Sequence, residues 1–405
     1  MFFDSISNYP IQSNALFSNE AAFLWTQRHH IAQSLITGLD TLNPIDERLE
    51  AATEGMLLEM GTGYQACLEM LQQQEPGSLS ALISLWALAR FPEDWSEAVS
   101  KYILQRDNAQ QETVDVLSWL PQSAIQSLFE ADSAQAVIGT ELLLQVLCRR
   151  RYVPSTLNFR FLQQADNSVQ QNGLRLAALT RQFLNDEVMA DSRMQALSAY
   201  HYYQMVMEQP FDQKKLADGI SQNDIPLQEG LPVLLLRLTF NQMRDLIAYW
   251  QQQQETQTAI QAMGISGYSE WVDDLFDLAA ESTIQTEKKQ IAHAIHVITG
   301  QTVFEYPQDK DNESEEELTA LEPVDFLPIP DFARMQNQWE RMRSSFKKNQ
   351  RYRLGKPFDL SWVLGLSKQG SQWMRHIASI EYAWMHKSPV PDIQAPYWRQ
   401  IATNP

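Results

Sequence analysis

Apolar residues in this chain recur at intervals of three and four, and that spacing limits the possible folds more than any motif does. Phe332, Met335, Trp339, Met342 and Phe346 follow one another at +3, +4, +3 and +4, which on an α-helix makes one continuous stripe. Asp331 stands just before them, where its carboxylate can accept from the free backbone N–H groups of a helix start. The same reading predicts a helix after Pro76-Gly77, with Leu79, Ile83 and Trp86 on one face and a stop at Phe91-Pro92. A further helix is expected from about Ser133 to Cys148. Another follows Ala165-Asp166-Asn167-Ser168 and carries Val169, Gly173, Leu176 and Phe183. The stretch Ile265 to Gly300 ends in a helix with Ile291, Ile295 and Ile298 in line, and a last helix spans about Ser371 to His386 with Trp373, Ile377, Ile380 and Trp384. Sheets need frequent turn residues, and 15 Gly and 18 Pro in 405 residues are few, so the fold class expected is all-α.

Helices of this length cannot each bury an apolar face alone. Their succession from about Asp46 to Gly300 predicts a HEAT-like α-solenoid of stacked helical hairpins over residues 1–300. Two irregularities interrupt the repeat: a Gly-Leu-Pro break within Leu227 to Leu238 and a glutamine run from Gln251 to Gln254. Residues 301–330 combine acidic side chains with Pro307, Pro323, Pro328 and Pro330 and read as an exposed linker. Residues 331–405 then form a small helical unit, expected to dock on the end of the array as a cap.

Charge divides along the same boundary. Residues 1–330 hold 19 Lys and Arg against 45 Asp and Glu, whereas residues 331–405 hold 12 against 5: a body at −26 and a tail at +7 within a chain of net charge −19. An acidic body attracts basic partners, and it is also available to its own basic tail. Trp339, Arg341, Arg343, Lys347, Lys348, Arg351, Tyr352 and Arg353 are therefore the residues expected to dock, either on the body or on a partner. Basic and aromatic residues together are also a nucleic-acid-like composition. The burial expected for the aromatic stripe and the acidity of the whole chain disfavour nucleic acid.

No stretch approaches the roughly 20 apolar residues of a spanning helix, and no basic-then-apolar leader opens the sequence, so a cytoplasmic location is expected. Cys67 and Cys148 form no Cys-x-x-Cys pair and read as small core residues. Linear motifs for nucleotide, dinucleotide, serine-hydrolase and zincin chemistry do not occur. Neither catalytic residues nor a cofactor are expected. His293 and His296 come nearest to a metal pair. They stand three apart on one helix, opposite the Ile291 stripe, where the spacing predicts polar surface histidines and offers no third ligand. Asp273, Asp274 and Asp277 read as a solvated helix face.

Leu327 to Pro357 (LPIPDFARMQNQWERMRSSFKKNQRYRLGKP), after a helix ending HAIHVITGQ (His293 to Gln301), resembles a bacterial family of HEAT-like proteins encoded beside type VI secretion components. The likeness is most specific over Leu327 to Lys387. It implies a cytoplasmic role in type VI secretion and no enzymatic residues. The expectation is thus a protein-binding scaffold, an adaptor or chaperone for a basic effector or spike-tip protein. The alternatives are an immunity protein that blocks a cognate toxin, and an enzyme of unknown reaction on a helical scaffold.

Overall fold

Short polar side chains start the helices of this protein. In the computed structural model, Asp166 accepts from the Val169 amide at 2.9 Å, Asp331 from Arg334 at 2.9 Å and Asp359 from Trp362 at 2.8 Å. Thr239 and Gln242 exchange bonds in a complete capping box. The structure describes residues 9–57 except 33 and 36, 110–120, 140–301 except 156, 304–305, 329–392, and positions 67, 69, 125, 327, 395, 396 and 400. These residues are mostly helical, which agrees with the all-α expectation at the level of class. The predicted helix over 79–91 and the first part of the one from 133 lie outside them.

The chain divides into two compact units. The first contains α1 (Tyr9–Ala32), α2 (Asn43–Met56), α3 (Gln110–Ser118), α4 (Thr140–Arg150), α5 (Asn167–Leu179), α6 (Asp186–Met189) and α7 (Ser192–Gln195). Its interior holds a buried ion pair: Arg28 Nε lies 2.7 Å from Asp46 Oδ1, its guanidinium sits 4.1 Å over the Trp119 ring, and Nη2 donates to the Ala395 carbonyl at 2.8 Å. Arg150 donates to the Ser118 and Leu120 carbonyls and so covers the C-terminal end of α3. Phe183 departs from the sequence reading. The α5 helix stops at Leu179, Arg181 takes a left-handed φ of 52°, and Phe183 is left 87% exposed in the following loop.

The second unit comprises residues 33–38 and 198–390. It contains α8 (Ser198–Val206), α9 (Gln213–Ser221), α10 (Leu227–Arg237), α11 (Phe240–Gln252), α12 (Thr256–Ser266), α13 (Trp271–Glu281) and α14 (Gln285–Thr299). After these come α15 (Phe332–Met342), α16 (Leu360–Gln369) and α17 (Gln372–Met385). Two short antiparallel pairs complete it: β1 (Phe304–Glu305) with β2 (Ile329–Pro330), and β3 (Tyr352–Arg353) with β4 (Lys356–Pro357). The ends of the expected linker are thus paired to each other. Pro232 does not break α10, which runs through it.

The basic tail as far as residue 390 falls in the same compact unit as residues 198–300. The reason is α17. Residues 372–381 are all buried, including Gln372, Arg375, His376 and Glu381, and the helix packs on α16 and α10. The part of α17 that is buried on every face lies inside this unit, and only its last turn is partly exposed. The backbone N–H groups of Gln372 and Trp373 reach the carbonyls of Thr37 and Ser34 at 2.8 and 3.1 Å, which ties residues 33–38 to the start of the same helix.

Candidate binding surface

The last carbonyls of an α-helix have no partner within it and carry the negative end of its dipole. In the second unit, three such ends converge on one short segment, Arg351 to Gly355. Arg351 Nη2 donates to the Leu235 carbonyl and, at 3.2 Å, to that of Leu238, both at the end of α10. Arg353 Nη2 donates to the Ile265 carbonyl of α12, and the Tyr352 amide donates to Gly267 at 2.7 Å just beyond that helix. The Leu354 and Gly355 amides donate to Val297 and Ile298 of α14 at 2.8 and 3.0 Å.

The approach to α14 needs glycine on both sides. Gly300 and Gly355 both take left-handed φ, at 71° and 75°, and a Cβ on either would meet the other segment's backbone carbonyl at 2.6 Å.

Arg353 has a second role. Its guanidinium meets the Glu381 carboxylate of α17 with both side chains 1% exposed. Burial raises the Glu381 pKa above the ordinary glutamate value, and the Arg353 cation opposes that rise. Arg351 rests 5.2 Å over the Tyr268 ring, which itself contacts Phe240 and stands in a cluster with Trp271.

The docking residues named from sequence therefore separate into two groups. Trp339 is buried and donates from Nε1 to Asp273 Oδ1 at 2.8 Å, and Arg343 reaches Asp273 Oδ2 at 3.3 Å. Trp339, Phe346 and Tyr352 contact one another in sequence, the first pair edge to face and the second tilted, with ring centroids 5.2 and 4.5 Å apart. These residues, with Arg351 and Arg353, bind within the chain. Arg341, Lys347 and Lys348 point to solvent, and no carboxylate pairs with their side chains among the described residues.

His293 and His296 are not surface residues. His293 is buried, with its ring edge-on to Trp373 at 4.7 Å, and burial pushes its imidazole down to about 3, His296 adding to the effect. His296 bonds from Nδ1 to the Gln301 carbonyl at 2.6 Å, and burial lowers it too. The Ile291 stripe suggested one buried face. In fact α14 packs on α12 and α13 and meets β2, β3 and α17, so its opposite side is covered as well. Among the described residues no third His, Cys, Asp or Glu joins the pair as a metal-binding group.

The solvent face of α13 is acidic. Asp273, Asp274, Asp277 and Glu281 are all exposed. Only Asp273 has a cation partner among the described residues. Desolvation against the protein body, then Asp277 and Asp273, hold Asp274 above the usual carboxylate range. This ridge was legible in sequence only as one solvated face among many carboxylates. Among the described residues, no helix is long and apolar enough to cross a membrane.

No protein-family model matches the chain, and searches of curated proteins and of solved structures gave no match.

Proposed function

We propose that this protein is a non-enzymatic binding scaffold for another polypeptide, and that the ridge on α13 forms part of the surface that receives it. In keeping with the family resemblance, the partner is a basic type VI effector or spike-tip component, and the protein serves in the cytoplasm as its adaptor or chaperone. The observation that carries this reading is that Asp274, Asp277 and Glu281 stand together without a cation among the described residues, with the Asp274 pKa raised by desolvation first and then by repulsion from Asp277 and Asp273. The tail does not neutralise them. Arg351 and Arg353 are spent on helix ends and on Glu381, and Arg343 reaches only Asp273. A basic partner would relieve that repulsion on binding.

The reading takes the helix pairs as units of a HEAT-like solenoid. Consecutive helices pack on one another, as α13 on α14 and α11 on α12 do, and so do next-but-one neighbours, as α12 on α14 and α10 on α12 do.

The experiment is co-purification with a basic type VI effector or spike-tip protein from the same cell, in 50 mM and in 500 mM salt. Capture at low salt, weakened at high salt and abolished by Asp274→Lys with Asp277→Lys and Glu281→Lys, supports the scaffold. Capture indifferent to both changes would rule out the ridge. Protection of cells that express the toxin would instead favour the immunity reading.

A further inference from the structure

From the turn after α15 we infer a second interaction surface of opposite sign, formed by Arg334, Arg341, Lys347 and Lys348 and suited to an acidic segment of a partner polypeptide. All four side chains are exposed, and none has an ion-pair partner among the described residues. Arg334 and Arg341 stand seven residues apart on α15, two turns along one stripe, about 10 Å from each other. That stripe flanks the buried Met335 and Trp339, so the cations are held off the protein body.

The turn that carries Lys347 and Lys348 is irregular yet closely fixed. The Lys347 amide donates to Tyr352 Oη at 2.7 Å, and the Asn349 amide donates to Glu270 Oε1 at 2.6 Å. Phe346 wedges between Trp339 and Tyr352, and Asn349 takes a left-handed φ of 57°. Backbone already ordered in this way loses little further entropy when a ligand binds, which favours recognition by these cations over mere solubility.

Two features select polypeptide over nucleic acid. Single strands bind through exposed aromatic platforms as well as cations, and here Trp339 and Tyr352 are buried while Phe346 is packed between them. The rest of the chain is also strongly acidic, which repels a polyanion as dense as a nucleic acid more than a short acidic peptide. The turn lies beside the start of α13, to which Asn349 and Arg343 tie it through Glu270 and Asp273, but the inference does not depend on the basic client proposed for the α13 ridge.

The test uses the full chain and two fluorescein-labelled probes, a ten-residue poly-glutamate peptide and a ten-nucleotide poly-dT strand, read by anisotropy in 50 mM and 150 mM salt. The variant is Arg334→Gln with Arg341→Gln, Lys347→Gln and Lys348→Gln, whose exposed positions should leave the thermal midpoint unchanged. Peptide binding that weakens at least tenfold in the variant, with poly-dT bound more weakly than peptide, supports the surface. A single replacement, Lys348→Gln, should weaken the peptide by a smaller factor. Equal binding by variant and parent, absence of binding by the parent, tighter binding of poly-dT, or a salt-sensitive dimer of the parent in place of peptide binding would each overturn it.

Discussion

Arg353 and Glu381 stand 28 positions apart and meet as an ion pair in the interior of the second unit, each side chain 1% exposed. Breaking such a pair from one side leaves an uncompensated buried charge. Arg353→Ala is expected to cost about 3–5 kcal/mol of unfolding free energy, and Glu381→Ala a similar amount. The double variant Arg353→Ala with Glu381→Ala should lose less than the two single losses combined. It will not be neutral, because the Ile265 carbonyl also loses its donor. Urea midpoints of the four proteins complete the cycle, and strict additivity would show that the two groups do not act as a pair.

The tail arginines should rank by burial rather than by charge. Arg343 and Asp273 are 47% and 56% exposed, so Arg343→Ala is expected to change stability by less than about 1 kcal/mol. Arg351→Ala removes a charged donor from two helix-end carbonyls and is expected to cost about 1.5–3 kcal/mol. Arg351→Lys should recover little of this, since an ammonium cannot span both carbonyls while lying flat on Tyr268. Equal losses for Arg343→Ala and Arg351→Ala would contradict the ranking.

Where the hairpin meets the end of α14, the two glycines permit a contact no other residue allows. Gly355→Ala and Gly300→Ala each add a Cβ 2.6 Å from a backbone carbonyl at a left-handed φ, and each is expected to destabilise by at least about 2 kcal/mol. Gly365, inside α16, is the control: an added Cβ there meets only the Trp362 ring at 3.9 Å. Gly365→Ala should be neutral or slightly stabilising. Thermal midpoints measure all three, and loss at Gly365 comparable to that at Gly355 would count against the crossing.

Acid should destabilise the fold through His293. Its pKa in the fold lies at about 3, below the unfolded value near 6.5, so the unfolded chain binds the proton first. The stability owed to the neutral ring is therefore complete above pH 6.5 and is lost as the pH falls from there toward 3. Between pH 7 and pH 5 the loss from this group is about 2 kcal/mol. His293→Phe keeps an aromatic against Trp373 and removes the titration, so its stability should fall less over that interval by about that amount. Chemical denaturation at the two pH values tests this, and parallel slopes for parent and variant would show that His293 is not buried neutral.

Local sequence signals revealed the helices but not their arrangement. Asp331 and Ser371 mark helix starts that the structure places where the spacing predicts, and the Phe332 to Phe346 stripe delivers Met335 and Trp339 to the interior. Met342 and Phe346 are only half-buried, because α15 ends at Met342 and a short tighter turn follows. The central position of α17 was hidden because its interior includes Gln372, Arg375, His376 and Glu381, which periodicity scores as polar. The same blindness affected His293 and the tail arginines. A guanidinium that satisfies helix-end carbonyls reads in sequence as a surface cation, since its partners are backbone atoms far along the chain. The irregular cues misled in the other direction: Pro232 suggested a break and lies within a continuous helix.

Amide hydrogen exchange across Arg351 to Gly355 in the full chain tests most directly whether the basic segment belongs to the interior. The account predicts that the amides of Tyr352, Leu354 and Gly355, bonded to Gly267, Val297 and Ile298, exchange as slowly as those in the middle of α14. Exchange at the rate of an exposed loop, with α14 still protected, would contradict it.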